Sequence, residues 1–132
     1  MGDFTLDVLQ RALDASVLRQ KVIAENIANV DTPFYKRKEV VFEDELKKAL
    51  DEKEPILRLK VTNPKHIENI ESTQLPDPKV KVVDDIVFRR DRNNVDIEKE
   101  LVDLAKNNIL YTGLTRFVST KFSMLRGAIK GR

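Results

Sequence analysis

The chain has no cysteine and no tryptophan, a single histidine at position 66, only four glycines, and no stretch near the ~18 uninterrupted apolar residues of a membrane span. Each absence removes a class of function. Without cysteine there is no disulfide, no zinc–thiolate site and no thiol nucleophile. A lone His66, in NPKHIEN, does not assemble a histidine-rich metal centre and reads as a surface or helix-capping residue, and no serine stands in a nucleophile-elbow context. Gly2, Gly113, Gly127 and Gly131 are too scattered to cradle a phosphate. The stretch from Asp91 to Val102 starts like a calcium loop but has Asp96 where a glycine is needed and Val102 where a glutamate is needed. The expectation is a protein with no catalytic residues, no cofactor and no metal. The N-terminus lacks the basic, apolar and small-residue order of a cleaved secretory signal, so these features alone describe a soluble, cytoplasmic-looking chain.

What is present points to helices and partners. At 132 residues the length predicts one domain, and a net charge of +2 with 35% charged residues favours neither nucleic acid nor acidic disorder. The basic clusters Lys36–Lys38 and Arg89, Arg90, Arg92 are diluted by Glu39, Asp84, Asp85 and Asp91, so no nucleic-acid interface is expected. Paired carboxylates such as Glu43 and Asp44 read as a solvated face.

Alternating steps of four and three from Ile97 give Leu101, Leu104, Asn108, Tyr111, Thr115, Val118, Phe122, Leu125 and Ile129. A second apolar line, including Leu110, Leu114, Phe117 and Met124, widens this face beyond that of a two-stranded zipper. Asn93 or Asn94 is expected to cap the helix start, with Asp96, Glu98 and Glu100 at the positive end of its dipole, and Gly127 and Gly131 to let its end fray. The opening of the chain repeats the pattern with Leu6, Leu9, Leu13, Ser16, Gln20, Ile23, Ile27 and Val30, from Asp3 as cap to a stop at Asp31, Thr32 and Pro33. These two segments are expected to pack as an intramolecular pair, antiparallel or parallel, each burying the other; the sharper alternative is that both seams stay partly unfilled until other subunits arrive.

The middle has a different texture. Phe42, Leu46, Ala49 and Leu50 predict a short amphipathic helix. Ile56–Val61, Val80–Val83 and Ile86–Phe88 predict short strands, and Pro76 and Pro78 an extended loop. The fold class is therefore mainly α: long N- and C-terminal heptad helices packed as a coiled pair around a small middle of short helix and strands. The expected divisions are 1–30, 31–92 and 93–132, the two ends forming one domain.

The string AENIANVDTPFYK from Ala24 to Lys36, followed by Phe42 and Glu43, resembles the N-terminal signature of the bacterial flagellar rod and hook family. The family pattern falls on Asn26, Ala28, Asn29, Thr32, Pro33, Tyr35 and Lys36. Asn93, Asn94, Val95 and Asp96, with Asn108 and Tyr111 downstream, are similar to the C-terminal signature of its proximal rod members, and the lack of a long globular insert fits those members. Family members usually carry glycine where this chain has Phe34 and Arg92, and glycine there permits a turn with positive φ.

The resemblance implies a structural subunit of the periplasmic rod of the flagellar basal body, exported unfolded through the flagellar type III apparatus without signal cleavage. It implies partners among other rod subunits, basal-body and export components and copies of itself, with no nucleic acid and no membrane insertion. The helix seams would then be assembly surfaces. Asn26 and Asn29 are expected to bond to freed carbonyls and to the turn that follows, fixing the exit direction of the middle segment. The alternative is a soluble helical adaptor or chaperone-like module with one stoichiometric partner.

Overall fold

The computed structural model describes residues 4–51, 75–84 and 90–131. Asp3 as a cap, the strands at 56–61 and 86–88, His66, Arg89 and Arg132 lie outside the described residues. The order is α1 (Phe4–Ala28), β1 (Lys38–Val41), α2 (Glu43–Asp51), β2 (Lys79–Val82) and α3 (Ile97–Lys130). The protein is mainly helical, and its two long helices pack together with a small middle segment beside them.

The pairing is antiparallel. Ser16 meets Asn107 while Asn26, ten residues further along α1, meets Glu100. The apolar core is small: Ala15, Val22 and Ile23 from α1, Val40 from β1, Phe42 before α2, and Val95 before α3. These residues cluster at the end of α1 and the start of α3, so packing is concentrated where the middle segment joins. β1 and β2 form an antiparallel ribbon with Lys38 opposite Val82 and Val41 opposite Lys79. The ribbon turns Val40 onto α1, while β2 is exposed along its length.

Four local expectations are corrected. First, α1 stops at Ala28, ahead of the Asp31–Pro33 stop. The Asn29 N–H is shared between the carbonyls of Glu25 and Asn26, and the Val30 N–H bonds to Ile27, which tightens the last turn before proline acts. Second, Asp96 rather than Asn93 or Asn94 caps α3, its carboxylate accepting from the N–H groups of Glu98 and Lys99. Third, the helix does not fray at Gly127; it continues to Lys130 and closes at Gly131, whose N–H bonds to the Gly127 carbonyl and whose left-handed φ of 67° turns the chain out of the helix. Fourth, the basic cluster leads into a strand, β1, which the sequence pattern did not announce.

In the first half of α3 most of the heptad seam, Leu104 apart, lies off the contact. The residues turned onto α1 there are Glu100, Leu104 and Asn107, while Ile97, Leu101 and Asn108 point away. A strict seven-residue repeat drifts by roughly 20° per heptad on a straight helix, so a seam sustained over four repeats does not stay on one face.

Candidate functional site: the clasp between the helices

The junction is built from side-chain amides. Asn26, fully buried on α1, presents its amide to Lys38 as a peptide group would: Nδ2 donates to the Lys38 carbonyl at 2.8 Å and Oδ1 accepts the Lys38 N–H at 3.0 Å. The remaining proton goes to Glu100 Oε2 at 3.1 Å and the remaining lone pair takes the Tyr35 hydroxyl at 3.3 Å. All four hydrogen-bonding positions of the amide are filled. Helix α1 is thereby tied to the first residue of β1 and to the first turn of α3.

Asn93 does the converse. Its buried Nδ2 donates to the carbonyls of Asn29, Val30 and Thr32 at 2.9 to 3.0 Å, and its Oδ1 accepts the Val95 N–H. A residue expected to open α3 instead braces the turn that follows α1, holding three of its carbonyls. Asn94 accepts the Arg37 N–H at 2.6 Å and donates to the Val83 carbonyl at 2.8 Å, while Val83 returns its own N–H to Arg37. Asn29 donates to Glu25 and accepts from the Thr32 hydroxyl.

Two left-handed residues allow this approach. Phe34 (φ 61°) and Arg92 (φ 58°) hold the conformation for which glycine is suited, and they are neighbours, because the Phe34 N–H donates to the carbonyl of Asp91. The backbone geometry glycine would permit is thus kept here by two side-chain-bearing residues.

Beneath the amides lies an ion pair that the sequence did not reveal. Arg37 Nε donates to Glu100 Oε1 at 2.5 Å, and the guanidinium also faces Glu39 at 3.3 Å and Asp103 at 3.4 Å. Glu100 is completely buried. Burial by itself would lower the Arg37 pKa, but the hydrogen bond to Glu100 and the charges of Glu100, Glu39 and Asp103 outweigh it, so the value is raised. Further along, Ser16 Oγ donates to Asn107 Oδ1 at 3.0 Å and Asn107 Nδ2 donates to the Ser16 carbonyl at 2.9 Å.

The structure thus brings Asn26, Asn29, Thr32, Tyr35, Asn93 and Asn94 into one network. Val95 is buried beside it and Asp96 caps α3. Ala28 and Pro33 are exposed on its rim, and Lys36 forms a surface pair with Asp84 at 3.1 Å. Of the seam residues, Ile23 is buried, and Leu6, Leu9, Leu13, Ile27, Leu104 and Val118 are half-buried. Ile97, Leu101, Tyr111, Phe122, Leu125 and Ile129 are exposed. Sequence reasoning missed Arg37, Glu100 and Asn107. Arg37 sat in a basic cluster and Glu100 in a first turn, where the helix dipole already accounted for it.

A cleft of about 300 Å³ runs beside the clasp, floored by Val22, Ile23 and Val40. Its Arg19 is engaged by Glu43 at 2.7 Å and its Arg37 by Glu100. Among the described residues, no group of three or more histidine, aspartate and glutamate side chains is placed to hold a metal ion. Among the described residues no buried side-chain nitrogen or oxygen lacks a hydrogen-bond partner, and those of the clasp are spent on other parts of the same chain, which is the chemistry of a fastening.

A family model described as flagella basal body rod protein matches residues 6–36, which is α1 and the turn that carries its half of the clasp. The flagellar basal body rod protein FlgB of Borrelia hermsii is 37% identical over 131 residues, covering 97% of this chain and 97% of that one. The chain belongs to the flagellar basal body rod protein family. The FlgB proteins of Borreliella burgdorferi (36% over 135 residues, 98% of this chain and 100% of that one) and Bacillus subtilis (34% over 129 residues, 96% and 94%) are also similar along nearly their whole length. This family is one of structural rod proteins of the flagellar basal body, and that is the role and place of the chain. Its matched segment ends at Lys36, one residue before Arg37, so the rod-family pattern stops at the edge of the buried ion pair.

Proposed function

We propose that this rod protein is a subunit whose terminal helices pack with those of neighbouring subunits into the helical axial tube, with the clasp fixing how the middle segment leaves the pair. It works in the periplasmic rod, reaches it unfolded without signal cleavage, and contacts other rod subunits, basal-body and export components and its own copies. The observation that carries this reading is the length of α3. From the Ser16–Asn107 contact, α3 outlasts the described part of α1 by roughly 11 residues, or about 16 Å. That overhang carries Phe122, Met124, Leu125 and Ile129 (85% exposed) as unfilled apolar surface, and Phe117 (67% exposed) stands just before it. Such a surface on a small soluble chain marks an interaction site.

The test separates folding from assembly. Phe122 and Ile129 are 52% and 85% exposed, so Phe122→Glu together with Ile129→Glu should move the urea midpoint by no more than ~0.5 kcal/mol equivalent. Incorporation into purified basal bodies should be lost. Normal incorporation of that variant would contradict the tube-forming role of α3.

A further inference from the structure

Resting on that rod reading and deepening it, we infer that the overhang of α3 docks on the outward face of α1 in a second copy of this chain, so that copies join head to tail. The overhang is charged in one sense. It carries Lys121, Arg126 and Lys130, and no acidic residue follows Asp103 anywhere on α3. The helix dipole accounts for a cation in the last turn but not for those several turns earlier, because its influence fades within one turn. Two overhangs facing each other would set like charges together, which disfavours a symmetric pairing.

The complementary surface is on α1. Leu6, Leu13, Val17 and Ala24 recur at positions that share an arc of the helix, away from the Ala15, Ser16, Val22, Ile23 and Asn26 face turned onto α3. Val17 is 55% exposed and Ala24 is exposed, while Leu6 and Leu13 are half-buried. Beside this stripe stand Asp7 and Asp14, both exposed and in none of the ion pairs formed among the described residues. Arg126 and Lys130 are likewise outside those ion pairs.

Continuity supports the same occupant. The apolar arc of the overhang, with Phe122, Leu125 and Ile129, prolongs the side of α3 that carries Glu100 and Asn107 against α1. Past the described part of α1 that side of α3 continues and is exposed. Because the two faces are different, one contact leaves a free overhang at one end and a free α1 face at the other, and the array propagates.

Sedimentation velocity on the full chain across a salt series tests this. The native chain should self-associate, more weakly as salt rises. Asp7→Lys with Asp14→Lys, or Arg126→Glu with Lys130→Glu, should each weaken association by about a hundredfold, at unchanged helical circular dichroism. All four reversals in one chain should restore it. A native chain that stays monomeric at every salt concentration, a one-face variant that associates like the native chain, or a four-fold variant that is folded yet monomeric would each overturn the contact. Native chain in purified basal bodies is scored separately. If it is present there while the folded four-fold variant stays monomeric, the rod reading stands and this contact falls; if it is absent while the four-fold variant associates, the contact stands and the rod reading falls.

Discussion

Glu100 and Arg37 show how single residues hold the junction. A carboxylate removed from water is tolerable only with a partner, and Glu100 has two, the Arg37 guanidinium and the Asn26 amide. Glu100→Gln leaves a buried guanidinium with weaker compensation, and urea unfolding should show a loss of about 3 kcal/mol. The pH consequence follows from the sign. Arg37 has a raised pKa in the folded chain, so its contribution is complete below the unfolded value and is lost only as pH rises through the folded one. Both lie beyond the ordinary alkaline range, so Arg37 should contribute no slope to stability between about pH 5 and 10. The left-handed residues have the opposite character. Arg92 is exposed and holds a conformation that costs roughly 1 kcal/mol or more for a residue with a Cβ. Arg92→Gly should therefore raise the urea midpoint by about 0.5–1 kcal/mol equivalent, net of the greater freedom glycine gains when unfolded.

Elements differ in how far local sequence decides them. Helix α2 was legible because Phe42, Leu46, Ala49 and Leu50 share one face and Glu43, Asp44 and Glu45 open it. The long helices were legible from their uninterrupted periodicity, and β2 from its valines. β1 was not, because KEVV is four residues long and follows a basic run that reads as solvated surface. The cap of α3 was misplaced because Asn93, Asn94 and Asp96 are all capable caps. The two asparagines are drawn off by carbonyls in the turn after α1, 61 to 64 residues away, and just beyond β2, 11 residues away, leaving the aspartate. Asp96→Ala should cost about 1 kcal/mol in thermal or urea unfolding and leave the Asn93 bonds in place. The clasp motif was visible as a string of residue types, but its pairings were not. Asn26 with Glu100 and Ser16 with Asn107 join positions 74 and 91 residues apart, and no local rule announces a buried polar seam between two apolar-patterned helices.

At the scale of the molecule the two ends of α3 have different tasks. Its first turns are locked by the clasp, with Glu100 and Asn107 buried against α1. Its last turns extend past the described part of α1, with apolar side chains open to solvent. Helix stability in water comes mainly from packing an apolar face, so the free half should open far more readily than the locked half. A subunit built this way keeps its internal geometry while offering a helix that is completed only by neighbours. Amide hydrogen exchange on the isolated chain and on purified basal bodies tests this most directly. In the isolated chain, amides from Glu100 to Asn107 should be protected and those from Phe117 to Ile129 should exchange quickly, and assembly should slow the second group while leaving the first nearly unchanged. Equal, high protection along the whole of α3 in the isolated chain, unchanged on assembly, would contradict a helix half-held by the clasp and half-reserved for its neighbours.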